Sequence, residues 1–440
     1  MGALRPGRRR PASTYACVAD RVFDGEQVLN DQAVVVRGER IAGLVPVADL
    51  PSGLPVVSAP GCTLVPGLID MHAHFMRWEG PLFLAYGVTS VRDTGNALDW
   101  ILARRAEWPS RAWPRVYALG PILDGPQAYH ALLSRACADL DDAVAAVRQT
   151  AAAGVDGIKL YVNLDAGWIA PMAAAAHAQG LKVSSHSVGT GTLFRARAGV
   201  DEVFHLDGLL PDVWPGAPPG WLDAWGLPGF ARTWDRQKVV ADEMARLGLT
   251  VTPTLAYWDS CWRTRSPGYP HASEGRYVPS AFNRSILVGR ADPEAAARWR
   301  AALAAAQRFT GLLIERGASV LTGSDVPCGG LTPGLSLWRE LQLLVEAGMA
   351  PSQALGAATR QAAAFLGQNA LGRIAAGAMA DLAFVRGNPL TGLPEDPVVP
   401  MVIRAGQLFR LDDLLVEAQA AAQDLRDDPA GAQWLPAEEV

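Results

Sequence analysis

Ala151-Ala152-Ala153-Gly154-Val155-Asp156-Gly157-Ile158-Lys159-Leu160 is the stretch that decides the fold. An alanine-rich helical run stops at a glycine, and a β-prone strand begins within a few residues. Glycine suits the left-handed turn that ends a helix, and a helix feeding directly into a strand is half of a βα repeat. The pattern recurs at Leu84-Ala85-Tyr86-Gly87-Val88-Thr89-Ser90-Val91. It returns at Gly180 before Leu181-Lys182-Val183, Gly199 before Val200-Asp201-Glu202-Val203, Gly248 before Leu249-Thr250-Val251, and Gly317 before Ala318-Ser319-Val320. The apolar run at Leu64–His74 and a strand around Arg115-Val116-Tyr117-Ala118-Leu119 bring the number to eight. Eight βα units over roughly 300 residues is the arithmetic of a (β/α)8 TIM barrel, whose active site lies at the C-terminal strand ends. A doubly wound open sheet would need a topological switch point and usually a glycine-rich phosphate loop. The sequence holds no GxGxxG or Walker-type loop.

Outward from the barrel, both flanks read as short strands with turns. Val28-Leu29, Ala33–Val36 and Ile41–Val45 precede it; Ala380–Val385 and Met401–Ala405 follow it. Neither flank is large enough to bury a good core alone, so the two are expected to form one small β-sandwich domain from both chain ends. The expected organisation is a disordered leader at 1–14, a composite β domain from 15–63 and 370–410, a barrel at 64–369, and a C-terminal helix and tail at 411–440.

With 440 residues and half of them hydrophobic, the chain can bury a large core, and a net charge of -5 gives no hint of a nucleic-acid partner. The basic opening Arg5–Pro11 is followed by no apolar segment of the kind a secretory signal needs, and no apolar run approaches membrane-spanning length. Five scattered cysteines without CxxC spacing argue against a disulfide framework or a thiolate zinc site. A cytoplasmic protein acting on a small molecule, with neither nucleic acid nor membrane as partner, is the expectation; a homo-oligomer has no residue-level signature in the sequence.

The chemistry sits at the predicted strand ends. His72 and His74 are two apart on a strand and so face one object. Lys159 and Tyr161 stand at the end of strand four, His186 at the end of strand five, His205 at strand six and Asp325 at strand eight. A barrel has one mouth, so these groups converge. A lysine among four imidazoles makes electrostatic sense only if its charge is neutralised. Singly, each has a plainer reading: a hydrogen-bonded core histidine, a helix N-cap at Asp325, a lysine snorkelling outward. Jointly they do not, because four of the seven histidines fall on three strand ends.

The segments PGLIDMHAH, VRDTG, GVDGIKLY, HS after strand five, AGVDEVFHLDG, TPTL and GSD occur in this order between Pro66 and Asp325. In these motifs the chain resembles the amidohydrolase superfamily, particularly its binuclear-metal branch of imidazolonepropionase-like and prolidase-like enzymes. The resemblance covers roughly residues 15–410. It implies that Lys159 is carboxylated to a carbamate bridging two divalent metals, with zinc expected. His72, His74 and Asp325 would hold one metal, and His186 and His205 the other. A bridging hydroxide would then attack the substrate carbonyl while Asp325 carries the proton from it to the leaving nitrogen. Ser184 or Ser324 is expected to support the ligands from behind.

The nearest rival is a mononuclear deaminase or imidazolone hydrolase. Relatives of that kind carry a glutamate three residues after the strand-five histidine, where this chain has Gly189. A non-catalytic scaffold predicts lost ligands, and none is lost. The substrate is expected to be a small amide or peptide, hydrophobic or carboxylate-bearing, such as an Xaa-Pro dipeptide or an N-acyl amino acid. An ester, lactone or phosphotriester is open to the same attack. Tyr161, His130 in the loop after strand three and Tyr257 after strand seven are the expected substrate contacts. Two long connections, 208–234 and 257–290, should overhang the mouth. Their tryptophans (Trp214, Trp221, Trp225, Trp234, Trp258, Trp262) suggest an apolar substrate group or, equally, core packing, and Arg263, Arg265 and Arg276 a carboxylate clamp or solvated charges. Asp93 reads as a structural hydrogen-bonding residue, His177 as mid-helix, and His271 and Tyr269 as part of the second connection.

Overall fold

The structure, a computed structural model, describes residues 14–217, 222–266, 277, 279 and 292–422. The leader, Trp221, Tyr269, His271, Arg276 and the tail beyond residue 422 lie outside the described residues.

Eight strands form the barrel: Leu68–Ala73, Val88–Asp93, Arg115–Ala118, Ile158–Leu160, Val183–His186, Glu202–Phe204, Thr250–Thr252 and Ser319–Val320. They are called strands one to eight below. Where adjacent strands pair, they pair in parallel. Strand three is interrupted after Ala118, and a second segment, Ile122–Asp124, carries the ladder on to strand four at Leu123 and Leu160. Strand eight closes on strand one through an Ala73–Val326 bridge and two backbone bonds: Met71 N–H to the Thr322 carbonyl at 3.0 Å, and Asp325 N–H to the His72 carbonyl at 2.7 Å.

The six glycines at the helix-to-strand junctions behave as their position requires. Gly87, Gly154, Gly180, Gly199, Gly248 and Gly317 all have φ between 66° and 99°, the region that a Cβ disfavours. Helix starts follow from side-chain caps: Asp139, Asp165 and Asp292 accept backbone N–H bonds from Asp142, Gly167 and Ala295. Strand residues such as Val91, Val116, Val183, Val203 and Val251 are buried in one cluster with Ile101, Val147, Met172, Val240 and Leu313 of the surrounding helices. The β-branched strands are thus sheathed by small and aliphatic helix faces, as a parallel barrel requires.

Both chain ends build the second layer. One mixed sheet runs in the order Gln407–Arg410, Met401–Arg404, Leu382–Arg386, Val56–Pro66, Thr14–Phe23, Gln32–Arg37 and Arg40–Pro46, with Val28–Leu29 added beside Thr14–Phe23. Its own core gathers Tyr15, Cys17, Val34, Ile41, Leu64, Phe384 and Ile403. The expected sandwich is therefore built as a single hydrogen-bonded sheet. The run Leu64–His74 is also not one strand. Gly67 N–H bonds to Asp381 in the β domain at 2.8 Å, whereas Leu68 N–H bonds to Gly87 in the barrel at 2.9 Å, so the chain changes partner between these two residues. A Cβ on Gly67 would meet Thr89 Oγ1 at 2.1 Å, which leaves glycine as the residue that fits this crossing.

The C-terminal helix, Leu411–Ala421, packs Leu414 against Leu84, Ala85 and Val402. Among the described residues, no helix is long and apolar enough to cross a membrane.

Candidate active site

His72, His74, Lys159, His186, His205 and Asp325 are all buried and meet at the C-terminal end of the barrel. Asp325 Oδ1 lies 3.2 Å from His72 Nε2 and 3.6 Å from His74 Nε2. Ring centroids are 4.8 Å apart for His72 and His205, and 4.5 Å for His186 and His205. Lys159 Nζ points into the same space, 5.0 Å from the Phe204 ring and 5.5 Å from the Tyr161 ring. These are the residues expected from sequence, and the fold brings all six together.

Local backbone explains how they reach one another. Gly323 lets strand eight lie against strand one, since a Cβ there would sit 2.6 Å from His72 Cβ. Asp70 ties the two strands further by accepting His72 N–H at 3.1 Å, Ser324 N–H at 3.0 Å and the Ser324 hydroxyl at 2.5 Å. His205, Thr254 and Asp325 each adopt left-handed backbone, with φ of 64°, 50° and 66°. Such conformations cost of order 1–3 kcal/mol each and cluster at functional sites.

Three of the four imidazoles have a hydrogen-bond partner on their outer face. His74 Nδ1 is 3.1 Å from the Gly95 carbonyl, His205 Nδ1 is 2.6 Å from Thr254 Oγ1, and His186 Nε2 is 2.7 Å from Asp207 Oδ2. These contacts orient the rings and leave the opposite nitrogens facing the centre. Ser184 and Ser324 do not play this part: their hydroxyls bond Glu202 and Asp70. Ser184 and Thr252 donate to Glu202, which also pairs with buried Arg92 at 2.7 Å. That network braces strands two, five, six and seven. Asp93 is structural as read, accepting from Phe75 N–H and the Asn96 amide.

Burial dominates the electrostatics. It holds His74 and His130 down to about 4 and His72 and His205 well below the usual imidazole range, so all four are neutral near pH 7. It lowers Lys159 to about 8, so the ammonium still predominates at pH 7, with roughly a tenth of the amine neutral. Burial also pushes the Tyr161 phenol up, keeping it a hydrogen-bond donor.

Do these groups suit a metal? Neither ring nitrogen of His72 makes a hydrogen bond, Nε2 having only its 3.2 Å contact with Asp325; the buried lone pair is costly to leave so unless an electrophile is taken up there. Donor atoms of His72, His205 and Asp325 lie within 4.8 Å of one another, and so do those of His74, Asp325 and Cys328. Neutral imidazoles beside a carboxylate are the donors that zinc-type ions favour. The set fits.

The cavity above the cluster encloses about 260 Å³ and is walled by Tyr129, His130, Leu133, Tyr161, Tyr257, Cys328 and Gly329, with Asp207 at its edge. His130 Nε2 lies 3.0 Å from the Tyr161 hydroxyl, so three expected contact residues, His130, Tyr161 and Tyr257, face this space. The described arginines and tryptophans of the two long connections take no substrate-facing place. Arg263 is bound to Asp259 at 2.6 Å, and Arg265 donates to the Cys261 carbonyl at 2.8 Å. Neither lines the cavity, because buried Asp259 and a helix carbonyl draw them away. Trp225 and Trp258 are core residues, Trp214 and Trp262 pack against that core, and Trp234 is exposed. His177 ends its helix and pairs with Asp201 at 2.9 Å.

Asp207, Thr254, Cys328 and Tyr129 were missed from sequence. Asp207 and Thr254 lay inside quoted motifs, two residues after His205 and within Thr252–Leu255; Cys328 and Tyr129 had no such signal.

A (β/α)8 barrel with a β domain drawn from both flanks carries histidines, a lysine and an aspartate at its mouth, as the resemblance to amidohydrolases leads one to expect. Family models agree: the amidohydrolase family matches residues 299–409 and the NagA composite domain residues 14–64. Both matches point to the amidohydrolase family, one over the N-terminal flank and one over the end of the barrel and the C-terminal flank. Among solved structures it is similar to a bottromycin amidohydrolase (25% identity, 97% of this chain and 95% of that one, TM-score 0.72). It is also similar to a Xaa-Pro dipeptidase solved with methionine in its active site (21%, 90% and 100%, 0.67) and to the A. niger ochratoxinase (19%, 91% and 96%, 0.65). A search among curated proteins finds no significant match.

Proposed function

We propose that this chain is a metal-dependent amidohydrolase that hydrolyses the C–N bond of a small amide or peptide with a hydrophobic group beside the scissile bond. The observation that carries the reading is the buried convergence of His72, His74, Lys159, His186, His205 and Asp325, with neither His72 ring nitrogen making a hydrogen bond. In this reading Lys159, carboxylated, would help to hold two divalent ions, zinc by donor chemistry. His72, His74 and Asp325 would hold one and His186 and His205 the other. Bound there, the ions supply a water acidified toward neutrality and polarisation of the scissile carbonyl.

The chain's own residues do the rest. Asp325 Oδ1, beside His72 and His74, accepts the proton of the attacking water and returns it to the leaving nitrogen. Tyr161, held by His130, donates its phenolic hydrogen to the substrate carbonyl oxygen as charge develops there. Leu133, Tyr129 and Tyr257 shield the reacting centre and select an apolar group. The dipeptidase and amidohydrolase names of the similar structures support C–N cleavage.

The test is to strip the protein with chelator, reload it with zinc, count metal per chain, and screen Xaa-Pro dipeptides, N-acyl amino acids and aryl esters. Two metals and amide cleavage are expected. A single metal, or hydrolysis confined to esters, overturns the corresponding part.

A further inference from the structure

Cys328 stands one turn beyond Asp325 and faces the same space. Its backbone N–H bonds to the Asp325 carbonyl at 3.0 Å, it forms no disulfide, its thiol hydrogen-bonds the Asp325 carboxylate, and its side chain lines the cavity. The Sγ atom, a His74 ring nitrogen and an Asp325 carboxylate oxygen all lie within 4.8 Å of one another. The turn that carries it, Cys328–Gly330, is held against the helix Leu255–Arg263 by the Ser260 hydroxyl, which donates to the Gly329 carbonyl at 2.7 Å. A Cβ on Gly329 would lie 2.8 Å from Ser260 Oγ, so close seating of this turn depends on glycine. His74 is also committed: its Nδ1 faces the Gly95 carbonyl at 3.1 Å, so Nε2 is the nitrogen turned toward Asp325.

We infer that Cys328 Sγ is an additional metal donor on the His74–Asp325 side of the centre. The inference rests on the metal-dependent reading above and extends its donor set from nitrogen and oxygen to sulfur. Sulfur binds as thiolate, releasing one proton per chain on metal uptake. A soft donor favours zinc, cobalt and cadmium over manganese and magnesium, and this centre therefore discriminates against the hard ions.

The experiment uses Co²⁺ as probe on the full chain. Wild type loaded with cobalt should show a near-ultraviolet thiolate-to-cobalt charge-transfer band. Cys328→Ser and Cys328→Ala should lose that band while metal content, measured by mass spectrometry, and visible d–d absorption persist. In competition titrations the preference for Cd²⁺ over Mn²⁺ should fall by at least about tenfold in both variants, roughly 1.4 kcal/mol. Cobalt retained without the band in wild type, or a band unchanged in both variants, overturns this inference and leaves the functional reading standing. Failure of wild type to retain cobalt at all overturns both.

Discussion

Replacing Asp207 probes whether His186 is held as a ligand. His186 Nε2 is 2.7 Å from Asp207 Oδ2, with both side chains buried. If Nε2–H donates to the carboxylate, Nδ1 keeps its lone pair for the centre, and the ring is locked in that tautomer. A hydrogen bond to a charged group is worth about 1.5–3 kcal/mol, roughly twice a neutral one. Asp207→Asn retains an acceptor oxygen and loses the charge-assisted part, about 1 kcal/mol, or roughly fivefold in affinity for the metal on the His186 side. Asp207→Ala removes the bond outright. The expected loss of 1.5–3 kcal/mol is about 10- to 150-fold, close to the usual penalty for deleting such a partner. Competition against a chromophoric chelator, with stoichiometry by mass spectrometry and kcat/KM measured alongside, reads both values. An Asp207→Ala protein that binds two metals with wild-type affinity would refute the argument. So would a loss confined to the other metal.

Lys159→Ala should abolish turnover and reduce metal content to one ion or none per chain; full activity in that variant removes the bridging role. Glu202→Ala leaves Arg92 buried without its 2.7 Å partner, so unfolding free energy by denaturant titration should drop by about 3–5 kcal/mol; a drop below 1 kcal/mol would show that the pair is dispensable. Gly323→Ala places a Cβ 2.6 Å from His72 Cβ and should weaken metal binding at least about tenfold, with unchanged affinity as the contrary result. Glu340 accepts Ala256 N–H at 2.7 Å at the start of the helix bearing Tyr257, and burial pushes its carboxyl up to about 8. The native state therefore holds a proton that the unfolded chain releases above the ordinary carboxylate range. This contribution is full at low pH and is lost as pH rises toward about 8, by up to about 1.4 kcal/mol per pH unit. Glu340→Gln should abolish that dependence, and parallel pH–stability curves for the two proteins would contradict it.

How far the sequence could be read depended on whether local or distant contacts decided each feature. The six junction glycines and the strand-end histidines are local signals, because helix termination and strand alternation depend on neighbouring residues. The break at Gly67 was not legible, since the switch from β domain to barrel depends on Asp381 and Gly87. Arg263 and Arg265 looked like substrate clamps until Asp259 and the Cys261 carbonyl were seen to hold them. Their partners lie nearby in sequence, but only the helix geometry shows which way they turn.

By itself, the sequence determined the βα repeat and which side chains stand at the strand ends, because side-chain periodicity and turn preference act over a few residues. Only the tertiary structure decided which groups stand behind and beside them. It selected Asp207, Thr254 and the Gly95 carbonyl as the partners that aim the imidazoles, and it brought Cys328 up to His74 and Asp325. Those choices follow from barrel closure, which sets strand eight beside strand one across some 250 residues of chain, a proximity that no local pattern encodes.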